Sequence, residues 1–190
     1  MSRFTVSEDV SVHDFFTKFV PEQFRQIAAE TDLSAMAGRQ FTLQFQVDGK
    51  RYCLRVQGGK DLEIVEGGID KPMLELKVSE ADWRDAVTGK SQGVIDRFTD
   101  PAQAADLDRY NRLLVTKGTL HLELKKPDGS VLPVDLVFNG EAKPEVTIKL
   151  AMSDWVAMQN GEVNGQMLFM SGKLQAQGDM VFLISLQALL

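Results

Sequence analysis

The chain has 190 residues, with 21 Lys and Arg against 27 Asp and Glu and a formal net charge of −6. Such a field repels a phosphate backbone or an anionic membrane, and no Lys/Arg stripe offsets it locally, so nucleic acid is not an expected partner. This length buries a core that needs neither metal nor disulfide. The one cysteine, Cys53, allows no intrachain bridge, which agrees with a reducing, cytoplasmic setting.

Met1-Ser2-Arg3-Phe4-Thr5 runs into Glu8 and Asp9 without an apolar segment, so no signal peptide is expected. Residues 10–30 read as helix, with Val12, Phe15, Phe16, Phe19 and Val20 on one face. Pro21 breaks that run as the first residue of a second short helix carrying Phe24 and Ile27. The polar face mixes Asp14, Lys18, Glu22 and Arg25, the pattern of a helix packed on a core rather than a membrane surface. From Phe41 the period becomes two. Phe41, Leu43, Phe45 and Val47 alternate with polar residues, and Asp48-Gly49 turns the chain into Tyr52 to Val56. Short strands follow at Leu62 to Val65 and Met73 to Val78. Ser79-Glu80-Ala81-Asp82 then opens a helix running to Gly89. A helix over Ala102 to Leu114 precedes strands at Thr119 to Leu124, Val131 to Phe138 and Val146 to Leu150, with a turn at Asp128-Gly129.

The second set of strands repeats the first. Lys71-Pro72 matches Lys143-Pro144, Lys77 matches Lys149, Asp82-Trp83 matches Asp154-Trp155, Gly89 matches Gly161 and Gly93 matches Gly165, all at one offset of 72 residues. Thr42-Leu43 and Thr119-Leu120 correspond ahead of the two Asp-Gly turns. A β-β-β-α unit used twice points to an α+β fold rather than alternating βαβ. The expected organisation is N-terminal helices over 1–40, a divergent half over 41–117 and a second half over 118–190, compatible with one compact domain.

The patterns for catalysis fail. His13 and His121 lie in different elements without Cys or His at metal spacing, so no metal or other cofactor is expected. Gly172-Lys173 is followed by Leu174 where a phosphate loop needs Ser or Thr, and no Gly-x-Ser-x-Gly elbow occurs. Asp82 and Asp154 read as helix caps, Cys53 as a small buried apolar residue, and Trp83 and Trp155 as core, with Trp155 also on a cavity wall.

After residue 150 the composition shifts. Five of the eight methionines, Met152, Met158, Met167, Met170 and Met180, stand among Leu168, Phe169, Leu174, Phe182 and Leu186. Methionine adapts its shape to variable apolar guests. The stretch from Asp179 is apolar nearly all round and is expected to be covered, yet it is far shorter than the ~20 residues of a bilayer span.

Asp154-Trp155, Gly161, then Met167-Leu168-Phe169-Met170-Ser171-Gly172-Lys173-Leu174, Gly178-Asp179 and an apolar terminal helix resemble the sterol carrier protein family of nonspecific lipid-transfer domains. The likeness is specific over 144–190 and looser back to Thr119. The first copy departs from it, with Thr99-Asp100-Pro101 in place of Ser171-Gly172-Lys173 and its last strand missing. The resemblance implies a twisted mixed or antiparallel sheet with helices on one face and an apolar tunnel between them. It also implies non-catalytic binding or transfer of a sterol, fatty acyl or isoprenoid ligand. Carried over by position, Trp155, Met158, Met167, Phe169, Met170, Leu174, Phe182 and Leu186 would line that tunnel. Lys173 would sit at the strand edge, and Asp179 would cap the last helix. The alternative is an accessory module that dimerises or presents lipid intermediates to an enzyme. A homodimer and a transient membrane or enzyme partner fit either reading.

Overall fold

The computed structural model describes residues 6–91, 106–187 and 189. Its strands are β1 (Gln40–Val47), β2 (Lys50–Gln57), β3 (Asp61–Glu66), β4 (Leu74–Val78), β5 (Gly118–Lys125), β6 (Val131–Phe138), β7 (Glu145–Ala151) and β8 (Gln175–Gly178). They form one mixed sheet in the order β3-β2-β1-β4-β6-β5-β7-β8.

The repeat is visible in the pairing. β1 runs antiparallel to β2 and parallel to β4, as β5 runs antiparallel to β6 and parallel to β7. In the second unit the far edge of β7 is covered by β8. In the first, the far edge of β4 is covered by β6 of the other unit, from Leu74 opposite Phe138 to Lys77 opposite Asp135. That seam fuses the two units into one surface. Residues 99–101, where the last strand of the first copy is expected to be missing, lie outside the described residues.

The helices are α1 (Val12–Asp14), a π-helical segment Phe15–Phe19, α2 (Val20–Glu30), α3 (Glu80–Val87), α4 (Leu107–Val115), α5 (Met152–Gln159), α6 (Gly165–Met170) and α7 (Met180–Leu186). Pro21 is the second residue of α2 and does not break the run: Phe19 and Val20 keep helical dihedrals, so the chain passes from the π-helical segment straight into α2. Gly89 and Gly161 end α3 and α5 in the left-handed region (φ +83° and +74°), the same stop signal in both units. The helix read over 102–114 begins at Leu107 under an Asp106 cap, its first positions falling outside the described residues.

The two faces of the sheet differ in chemistry because side chains alternate. Leu43, Leu76, Leu122, Leu124, Val134, Leu136 and Ile148 form the main core with Trp155 and Tyr110 from the helices. Phe16, Val47, Tyr52 and Trp83 form a second cluster. The opposite face carries Thr42, Gln44 and Glu75, all buried. Gln44 donates to Glu75 Oε1 at 2.7 Å and accepts the Ile69 N–H at 2.7 Å, so its amide is satisfied on both sides. The fold is thus α+β, a mixed sheet with its helices on one face.

Two local expectations change. Asp82 and Asp154 are not N-caps. Ser79 caps α3 and Asp82 is its third residue, while Asp154 is the third residue of α5 and pairs with Lys173 at 3.2 Å. Both carboxylates stand in the first turn, where the free N–H groups of a helix N-terminus favour a negative charge. The terminal helix is also not covered all round. Seven residues present one face, where Phe182 and Leu186 are buried; Val181 and Ile184 turn outward, 80% and 64% exposed. Asp179 does cap it, accepting the Phe182 N–H at 2.8 Å.

Cys53 is fully buried on the polar side of β2, and burial pushes its thiol pKa up to about 11. Native protein is therefore expected to resist thiol reagents at pH 8 and to react only on unfolding, as a denaturant-dependent labelling curve would check. The folded state holds the neutral thiol, so this contribution is complete below the unfolded thiol's pKa of about 8.5. It is lost as pH rises from there toward 11.

Candidate functional site: an apolar cavity over the seam

Between sheet and helices lies a cavity of about 260 Å³. Its floor is the apolar face of five adjacent strands, β2-β1-β4-β6-β5, through Leu54, Leu43, Leu76, Leu136 and Leu122. Four inter-strand steps make that floor about 19 Å wide. The fused β4–β6 seam runs beneath its middle, so each repeat supplies part of the floor. The roof comes from the π segment (Phe15, Phe16, Phe19), α2 (Val20, Phe24, Ile27), α3 (Trp83, Ala86, Val87), α4 (Tyr110, Leu113) and Trp155 of α5.

Most polar groups on the wall are already engaged. Asp82 accepts from Ser79 Oγ at 2.7 Å and from Lys126 Nζ at 2.8 Å. That bond to Asp82 holds the Lys126 pKa above the usual lysine range. Asp106 caps α4, accepting the Arg109 N–H at 3.0 Å, and the Tyr110 hydroxyl donates to Gln40 O at 3.1 Å. Gln23 and Arg109 complete the polar wall, and Arg109 is the only cation among its described residues. No Ser, Thr, Cys, His or Lys stands on the wall among the described residues. The closest histidine–carboxylate pair, His121 Nδ1 with Asp135 Oδ1 at 2.7 Å, lies in a groove on the polar side of the sheet.

Of the eight residues expected from the sequence, the wall includes Trp155 alone, 1% exposed. Leu174, Phe182 and Leu186 come together in the main core, with Phe182 edge-on to Phe138. Met158 packs half-buried against that core. Met167, Phe169 and Met170 face outward. The Phe-rich helices of residues 12–30, which the sequence presents as packed on a core, supply much of the cavity's roof instead. The signal in the sequence is the spacing of Val20, Phe24 and Ile27, which sets all three on one helix face. In the structure that face lies over the cavity, and none of the helix's residues is buried.

A sequence model described as the SCP-2 sterol transfer family matches residues 93–190. Sterol carrier protein 2 of Homo sapiens is 37% identical over 73 residues, covering 38% of this chain and 12% of that protein's length. Peroxisomal multifunctional enzyme A of Dictyostelium discoideum is 38% identical over 69 residues, 36% of this chain and 15% of that one. The chain therefore spans only a small part of either relative. Among solved structures, sterol carrier protein domain 2 of Helicoverpa armigera aligns at 23% identity over 54% of this chain and 84% of its own, with a TM-score of 0.39. The family match takes in α4, β5, β6 and Trp155; the rest of the wall lies before it.

Proposed function

Because the chain belongs to the SCP-2 sterol transfer family, matched over just over half its length, we propose that it binds a sterol, fatty acyl or isoprenoid ligand in the cavity over the seam and releases it unchanged. The cavity is the observation that carries this reading: a nearly continuous apolar wall, large enough to receive part of a chain or ring system. Each methylene moved from water to that wall contributes about 0.8 kcal/mol, offset by lost ligand freedom. Selectivity among ligands of similar length is weak, since one methylene discriminates by only about 1–3 kcal/mol. Among the described residues the wall carries no nucleophile–base pair, which supports carriage; one relative carries the name of a multifunctional enzyme.

The first test is native mass spectrometry of freshly purified protein, followed by solvent extraction and lipid identification. The location is tested by Ala86→Trp, which places an indole in the void from a buried wall position. Uptake of cis-parinaric acid is expected to fall more than tenfold with the melting temperature held, whereas Met167→Ser with Met170→Ser leaves uptake intact. The reverse pattern would move the site to the C-terminal helices.

A second reading, an accessory module that presents lipids to an enzyme, draws on the outward Met167, Phe169, Met170, Val181 and Ile184 of α6 and α7. Among the described residues no helix is long and apolar enough to cross a membrane. Sedimentation of the ligand-loaded protein with and without vesicles separates a freely diffusing carrier from a docked one.

A further inference from the structure

We propose that α2 is the lid of the cavity, opening between two fixed ends to admit the ligand and closing over it. The proposal rests on the ligand-binding reading of the cavity and adds the route of entry.

The chain before α2 is pinned. Ser11 caps α1, and Arg84 of α3 donates to the carbonyls of Glu8 and Val10 at 2.7 and 2.9 Å. Phe16 is wholly buried, stacked on Tyr52 at 4.8 Å and tilted against Phe45 at 5.1 Å. Phe15 meets Trp83 edge-on at 5.3 Å. The chain after α2 is pinned as well. Leu33 and Met36 are buried, and Gly59 approaches Leu33 so closely that a Cβ there would lie 2.9 Å from the leucine's own.

The eleven residues between these anchors are held differently. None of them is buried, and Val20, Phe24 and Ile27 face the void. Among the described residues, α2 makes no side-chain hydrogen bond or ion pair to another element; Arg25 donates only to Pro21 O within the helix. Among the described residues its hold on the fold is apolar: Val20 packs against the Phe16–Trp83 cluster, while Phe24 and Ile27 line a cavity that is part empty. Segments with few buried contacts and no tertiary polar ties open at lower free energy than the core. At its N-terminal end the helix leaves a π-helical turn, whose wider i→i+5 bonds interrupt the α ladder at a natural hinge. A bound chain would fill the void and give Phe24 and Ile27 a partner, so the ligand itself closes the lid.

The test is amide hydrogen exchange on the full chain. In ligand-free protein the amides of α2 are expected to exchange at least 100-fold faster than those of α3, and bound cis-parinaric acid to slow them at least tenfold. Gln26→Gly with Ala29→Gly weakens α2 at two solvent-facing positions off the wall. It is expected to speed release of the probe about tenfold, from the helix propensity lost. Exchange in α2 as slow as in α3 with normal uptake overturns the lid alone, as does an unchanged release rate in the double variant. A protein that takes up no probe and co-purifies with no lipid removes the ligand reading, and the lid with it.

Discussion

Trp155→Ala is expected to lower stability by about 3–5 kcal/mol, read as a fall in the urea midpoint at constant slope. The side chain is 1% exposed and belongs to the main core, and it also reaches the cavity wall. Removing it enlarges a void instead of letting neighbours collapse, which places the cost toward the upper end of the range for large-to-small changes. The indole N–H is buried without an acceptor among the described residues. Trp155→Phe therefore loses no hydrogen bond and should cost about 1–2 kcal/mol, most of it packing. A Phe variant as unstable as the Ala variant would mean that the nitrogen is used.

Gly118→Ala is expected to cost a comparable ~3–5 kcal/mol by a different route. Gly118 opens β5 at φ +122°, a region closed to side chains, and an added Cβ would lie 2.3 Å from the carbonyl oxygen of Pro144 and 2.9 Å from Phe182 Cζ. Neither neighbour can yield. The Pro144 carbonyl accepts the Thr119 N–H at 2.8 Å, and Phe182 is the buried anchor of α7. Gly129→Ala is the control. It too has positive φ, +89°, but nothing lies within 4 Å of the new methyl, so only backbone strain of about 1 kcal/mol is expected. Equal melting temperatures for the two variants would show that the close approach at Gly118 relaxes freely.

The seam gives these packing arguments a functional sense. A single unit would offer β2, β1 and β4, or β6, β5 and β7, and neither set alone spans the floor of the cavity. Pairing β4 with β6 protects two strand edges from stray association and, by the same bonds, builds the wide apolar surface on which a ligand would rest.

What could be read from the sequence was what neighbours along the chain decide. The period-two run at Phe41 to Val47 became a strand because alternation sorts a strand's faces. The Asp-Gly turns, the Ser79 capping box and the Asp179 cap formed where read, each being a bond closed within a few residues. The repeat and the family motif were legible because they are order along the chain, and they carried the fold class and the lipid-binding family with them. Tertiary structure decided how these pieces meet. That β6 would cover β4 depends on two edges distant in sequence, and that α7 would bury Phe182 while leaving Val181 in solvent depends on which single face the sheet could accept. The place of the cavity was illegible for the same reason. A void is a shortfall of volume among side chains from five strands and the helices above them, a sum over the folded chain that no local pattern records.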